Sequence, residues 1–137
     1  MNGTANGVYG GDLPNQINTP WIDFSEQSTI VGWSSFTRKT IRYKVAGNMV
    51  YVNVFLAGTS NSTSTTFTLP ILPKSSVLFS FAYNADNSVY TINGFGNVIS
   101  SNIVTCYRPL SATNVVFINT WTASGTKEIA GQFFYEI

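Results

Sequence analysis

The sequence predicts an all-β fold, an antiparallel β-sandwich of about seven to nine strands. Three observations carry this. From Trp21 onward, short segments rich in Val, Ile, Thr, Tyr and Phe are separated by Gly, Asn, Pro and Ser, which is the punctuation of strands and turns. No stretch shows the i, i+3, i+4, i+7 apolar spacing of an amphipathic helix. No repeat recurs at a fixed period, as a propeller or solenoid would require, so two packed sheets are the expected way to bury the apolar faces.

The first twenty residues, MNGTANGVYGGDLPNQINTP, are crowded with Gly, Asn and Pro and lack periodicity. Residues 1–20 therefore read as a flexible N-terminal arm or linker, and residues 21–137 as a single sandwich domain. Its length suffices to bury a core without disulfides or metals.

The clearest unit is TIRYKVAGNMVYVNVFLA, residues 40–57, where Gly47-Asn48 forms a two-residue turn that needs positive φ. Pairing Ala46 with Met49 sets Val45 opposite Val50, Tyr43 opposite Val52 and Ile41 opposite Val54, an apolar face for the core. The reverse face pairs Lys44 with Tyr51, Arg42 with Asn53 and Thr40 with Phe55. Cations and rings in that mixture mark Arg42, Lys44, Tyr51, Asn53 and Phe55 as a candidate interface or ligand face. The next stretch, GTSNSTSTTFTLP, divides into a polar connection over 58–62 and a strand over 63–69 that Pro70 ends.

SVLFSFAYNADNSVYTI predicts a second hairpin that turns over 84–87, with Val77, Phe79, Phe81 and Tyr83 on one face. With NVISSNIVTCYR between them, TNVVFINTWTASGTKEIAGQFFYEI predicts a third hairpin. Its bend is at 123–126, and Ile129, Phe133, Tyr135 and Ile137 share one side of the last strand.

The chain is 44% hydrophobic, 15% aromatic and 9% charged, with a net charge of +1. That is too apolar for disorder and offers no basic run to neutralise phosphates, so no nucleic-acid partner is expected. The first basic residue is Arg38, so a secretory signal's basic start is not seen, and no apolar run approaches a membrane span. Cys106, the single cysteine, lies in strand-like NIVTCYRP and reads as an inert buried thiol.

The sequence has no histidine. This removes the commonest general base, the usual transition-metal ligand and the Ser-His and Cys-His pairs. Of six carboxylates, only Asp23 and Glu26 are close in sequence, and they read as a solvated turn more readily than as a glycosidase pair. Ser124-Gly125-Thr126-Lys127 matches S-x-x-K but bridges two predicted strands, where that motif requires a helix start. Asp86 with Asn84 and Asn87 is an Asx-rich turn with one carboxylate, a poor cation site. No catalytic residue, metal ligand or cofactor is therefore expected. Rings are the remaining resource, because sugars stack on exposed aromatic faces. Trp21, Trp33, Tyr90 and Trp121 are the candidates.

IRYKVAGNMVYVNVFLAGTSNSTSTTFTLP, followed by WTASGTKEIAGQFFYEI, resembles the C-terminal β-sandwich domains of tailed-bacteriophage tail-fibre, baseplate and related virion proteins. The residues that carry the likeness are Tyr43, Gly47, Val50 and Val52, then Gly58 to Pro70, then Ala123 to Lys127, Gly131 and Tyr135. The resemblance implies a jelly-roll-like sandwich in the virion, made in the host cytoplasm, usually a homotrimer, that binds a host-surface glycan or protein receptor. The arm would then join the domain to other virion proteins. It supplies no receptor-contact residues. A stand-alone carbohydrate-binding module that uses exposed aromatic residues is the alternative expectation.

Overall fold

The computed structural model describes residues 17–91, 94–111 and 113–137; the expected arm lies outside the described residues up to residue 16. Eleven strands are present among them: β1 (Ile22–Asp23), β2 (Trp33–Ala46), β3 (Met49–Ser60), β4 (Thr66–Thr68), β5 (Val77–Ser80), β6 (Tyr83–Asp86), β7 (Val89–Thr91), β8 (Phe95–Val98), β9 (Ile103–Ser111), β10 (Asn114–Ile118) and β11 (Thr126–Glu136). They form two antiparallel sheets, β1-β2-β3-β11-β6-β7 and β10-β9-β8-β5, with β4 paired to β9. The expected sandwich is present, with more strands than the predicted seven to nine. The surplus lies in β1, which at two residues is too short to leave a periodic signal, and in the segment predicted as one strand over 77–83, which is divided between β5 and β6.

The β2–β3 hairpin has the predicted register, from Ala46↔Met49 through Tyr43↔Val52 to Ile41↔Val54. Gly47 sits at φ 61° while Asn48 keeps a negative φ, which fits a type II′ turn led by glycine. The apolar face packs inward: Ile41, Val45, Val50, Val52, Val54 and Leu56 are all buried. β11 continues this face, pairing with β3 from Thr126↔Thr59 to Glu136↔Met49. Its odd-numbered residues Ile129, Phe133 and Tyr135 enter the core beside Phe67, Val98, Val104 and Cys106.

The second and third predicted hairpins are corrected. β5 and β6 belong to different sheets, because the chain crosses the sandwich between them. Phe81 N donates to Gly94 O while the next amide, Ala82 N, donates to Ala130 O on the opposite sheet. The turn lies at Asn87-Ser88, both at positive φ (50° and 69°), and joins β6 to β7. Likewise β10 pairs with β9 and β11 with β3 and β6, so the bend at 123–126 connects sheets and does not close a hairpin. In GTSNSTSTTFTLP, β3 runs on to Ser60 and only Thr66–Thr68 form a strand. The sheet also begins before Trp21, since Gly47 N donates to Ile17 O and Thr19 N to Val45 O.

One buried cation ties the end of β3 and the following loop to β11. Lys127 is fully buried, and its Nζ donates to the carbonyls of Gly32 (3.1 Å), Ser62 (3.0 Å) and Ser64 (3.4 Å). The rings of Trp33 and Trp121 lie 5.3 and 5.6 Å from it. Gly32, at φ 127°, is required here, because a Cβ would sit 2.7 Å from Ser64 O and 3.0 Å from Nζ. Burial lowers the lysine pKa to about 8, against the attraction of Asp86. Ser124 is exposed, so the S-x-x-K pattern places its lysine in a structural cage.

Because the folded pKa of Lys127 lies below its ordinary value of 10.5, the unfolded chain holds a proton between those values that the native chain has released. Lys127 should therefore make stability to urea rise above pH 8, opposed from about pH 9 by Cys106, whose raised pKa keeps in the native chain a proton that the unfolded thiol releases; the rise between pH 8 and 9 should vanish in Lys127→Met. That variant should also lose about 2 kcal/mol at pH 7, because Ser64 O is left without its donor. An unchanged pH profile in Lys127→Met would refute the assignment.

Candidate functional site

Directly opposed residues in antiparallel strands point to the same side, so the observed registers build the outer face of the six-stranded sheet in transverse rows. One row is Lys44–Tyr51–Phe134 and the next is Asp23–Arg42–Asn53–Gln132. A third is Thr40–Phe55–Ala130–Tyr83, and a fourth runs from Arg38 through Ala57, Glu128 and Ala85 to Tyr90. All five residues predicted for this face, Arg42, Lys44, Tyr51, Asn53 and Phe55, are therefore brought together on it.

Two clusters organise the face. In the first, β1 pairs beside β2 and holds Trp21 over the cations: the Arg42 guanidinium lies 4.8 Å from its ring and Lys44 Nζ 5.6 Å. Lys44 also lies 5.8 Å from the Tyr51 ring, which packs against Phe134 at 5.9 Å. Trp21, Tyr51 and Phe134 remain 41%, 38% and 62% exposed. They border a shallow groove of about 610 Å³ that Lys44 and Gln132 also line. In the second cluster, Arg38 sits 4.3 Å over Phe55, Phe55 meets Tyr83 edge-on at 5.9 Å, and the Tyr83 and Tyr90 hydroxyls both donate to Glu128. Burial and the Glu128 bond raise the Tyr83 pKa, and the charge of Glu128 raises that of Tyr90.

Among the described residues, Arg38, Arg42 and Lys44 have no ion-pair partner. Contacts of cations with exposed rings contribute about 0.5–1 kcal/mol each, which leaves most of the charge available to a ligand. Asp23 is occupied by the Ser25 amide and hydroxyl, which lower its pKa, and Glu26 pairs with Lys39. The face therefore offers flat apolar surfaces and hydrogen-bond donors, suited to holding a ligand rather than to proton transfer.

The four proposed stacking rings separate. Trp21 and Tyr90 are exposed, at 41% and 58%. Trp33 and Trp121 are core residues, 7% and 1% exposed, whose indole N–H groups donate to Lys127 O and Cys106 O, so neither ring is presented to a sugar. Cys106 is buried and its pKa is raised by that burial. Phe134, Arg38 and Tyr83 were missed as members of the face. The alternation of β11 puts Phe134 opposite the core residues Phe133 and Tyr135, but only the pairing with β3 sets it beside Tyr51. Neither family models, nor curated proteins, nor solved structures give a match to the chain.

Iodide should quench a single exposed tryptophan, and Trp21→Phe should remove the quenchable component and leave only blue-shifted emission. Persistent quenching in that variant would place a second indole at the surface.

Proposed function

We propose that the chain is a non-enzymatic attachment domain of a tailed-phage virion, acting as an oligomer, whose outer sheet face meets a host-surface receptor. The observation that carries the attachment reading is the cluster of Trp21, Tyr51 and Phe134, exposed together beside Arg42 and Lys44. Contiguous exposed rings on a soluble domain mark interaction sites, and aromatic residues and arginine are enriched where proteins meet partners. The virion assignment and the trimer rest on the resemblance in the first hairpin, the Ser/Thr-rich passage and the last strand.

A second reading, a stand-alone carbohydrate-binding module, is favoured by the exposure of Trp21 and Tyr90, which leaves both rings available for sugar stacking. The two readings differ in assembly state. Light scattering at micromolar concentration should give three times the chain mass; a monomer that binds glycans through Trp21 and Tyr90 would favour the module. On susceptible cells, the double variant Trp21→Ala, Phe134→Ser should bind at least about tenfold more weakly at an unchanged melting temperature. Undiminished binding would remove the outer face from attachment.

A further inference from the structure

A second cavity lies on the inner side of the six-stranded sheet, between β6–β7 and β9, with a volume of about 310 Å³. Its polar wall is an ion pair: Arg108 Nε lies 3.1 Å from Asp86 Oδ2, with the two side chains 16% and 10% exposed. Both groups are held before any ligand arrives. Thr122 donates to Asp86 through its amide (2.8 Å) and its hydroxyl (2.9 Å). Arg108 donates from Nε to Thr120 O and from Nη1 to Pro109 O.

The hydrogen-bonding capacity of the pair is not used up. A guanidinium has five N–H groups, and Arg108 Nη2 has no partner among the described residues. Asp86 Oδ1 accepts a single bond, from Thr122 N, so an acceptor position remains. Asn84, 1% exposed, also lines the cavity; its Oδ1 accepts from Thr91 and its Nδ2 has no partner. Val89 and Leu110, about half exposed, give the mouth an apolar rim.

These features select a ligand class. The charges of Asp86 and Arg108 cancel, so a phosphate or carboxylate would meet the aspartate and a metal cation would meet the arginine. An apolar molecule would bury the pair while leaving its free donors and acceptor unmade, which is unfavourable. A neutral ring bearing adjacent hydroxyls and C–H faces satisfies both wall and rim, and the volume suits a single small ring. We propose that this cavity binds one neutral monosaccharide unit, with Arg108 Nη2 donating to and Asp86 Oδ1 accepting from its hydroxyls. This site is distinct from the outer face and does not depend on the role assigned to that face.

The test is a titration of the ¹⁵N-labelled chain with neutral methyl glycosides of gluco, galacto, manno, fuco, rhamno and N-acetylgluco configuration, and with sodium acetate, following the Arg108 Nε–H resonance. At least one glycoside should shift it with a Kd on the order of 1 mM, as expected for a ligand of this size. Ser111→Trp, at an exposed position on the lining, should weaken that binding at least tenfold, and Trp21→Ala, on the outer face, should leave it unchanged. The proposal is overturned if no glycoside shifts the resonance, if acetate alone does, or if the shift survives Ser111→Trp. A glycoside response that is lost in Trp21→Ala and kept in Ser111→Trp would overturn it in favour of the outer face.

Discussion

The register of the β2–β3 hairpin is the constraint on which the rest of the molecule depends. Side chains alternate with a period of two, so a slip of one residue would exchange Ile41, Val45, Val50, Val52 and Val54 for Arg42, Lys44, Tyr51 and Asn53 at the core. The turn at Gly47-Asn48 prevents this by fixing Ala46 opposite Met49. β11 then lies along β3 over its full length, so the same register settles which residues of the last strand enter the core. It also aligns Phe134 with Tyr51 and Lys44. Core and outer face are two consequences of one turn.

Lys127 secures the other end of that arrangement. The stretch 58–66 is rich in serine and threonine and has little apolar area of its own to bury. It is anchored by polar contacts: Ser62 O and Ser64 O accept from the lysine ammonium, and Ser60 Oγ donates to Thr122 O at 2.6 Å. A buried ammonium is tolerated only where carbonyls and ring faces replace its water, and Trp33 and Trp121 supply the ring faces. Two tryptophans that look like ligand platforms in the sequence are thereby committed to the core. The same end of β11 sets Lys127 opposite Asp86, so the cage and the Asp86–Arg108 wall of the inner cavity share a pair of neighbouring strands.

The two faces of the six-stranded sheet offer different chemistry from one set of strands. Outward, Arg38, Arg42 and Lys44 have no ion-pair partner among the described residues and lie against aromatic rings, an arrangement suited to broad contact with a partner. Inward, a neutralised ion pair is held by Thr120 and Thr122, an arrangement suited to one small polar group. The strand period separates them, since Glu128 faces out with Tyr90 while Lys127 faces in with Asp86.

The features legible in the residues follow from rules that act over short distances. Turn chemistry at Gly47-Asn48 and alternation along residues 40–57 establish the first hairpin, its core face and five residues of the outer face. The apolar setting of Cys106 establishes its burial. Sheet membership was decided only in the tertiary structure. Strand character in 77–83 and on both sides of the bend at 123–126 is legible, but adjacent strands in a sandwich pair or cross over according to contacts remote in sequence, as the amides of Phe81 and Ala82 show by joining opposite sheets. Burial of Lys127, Trp33 and Trp121 was decided there too. Lys127 reaches Gly32 across 95 residues, and Asp86 finds Arg108 across a sheet-to-sheet gap; no local period or turn signal encodes such meetings, because the partners become neighbours only once both sheets have closed on the core.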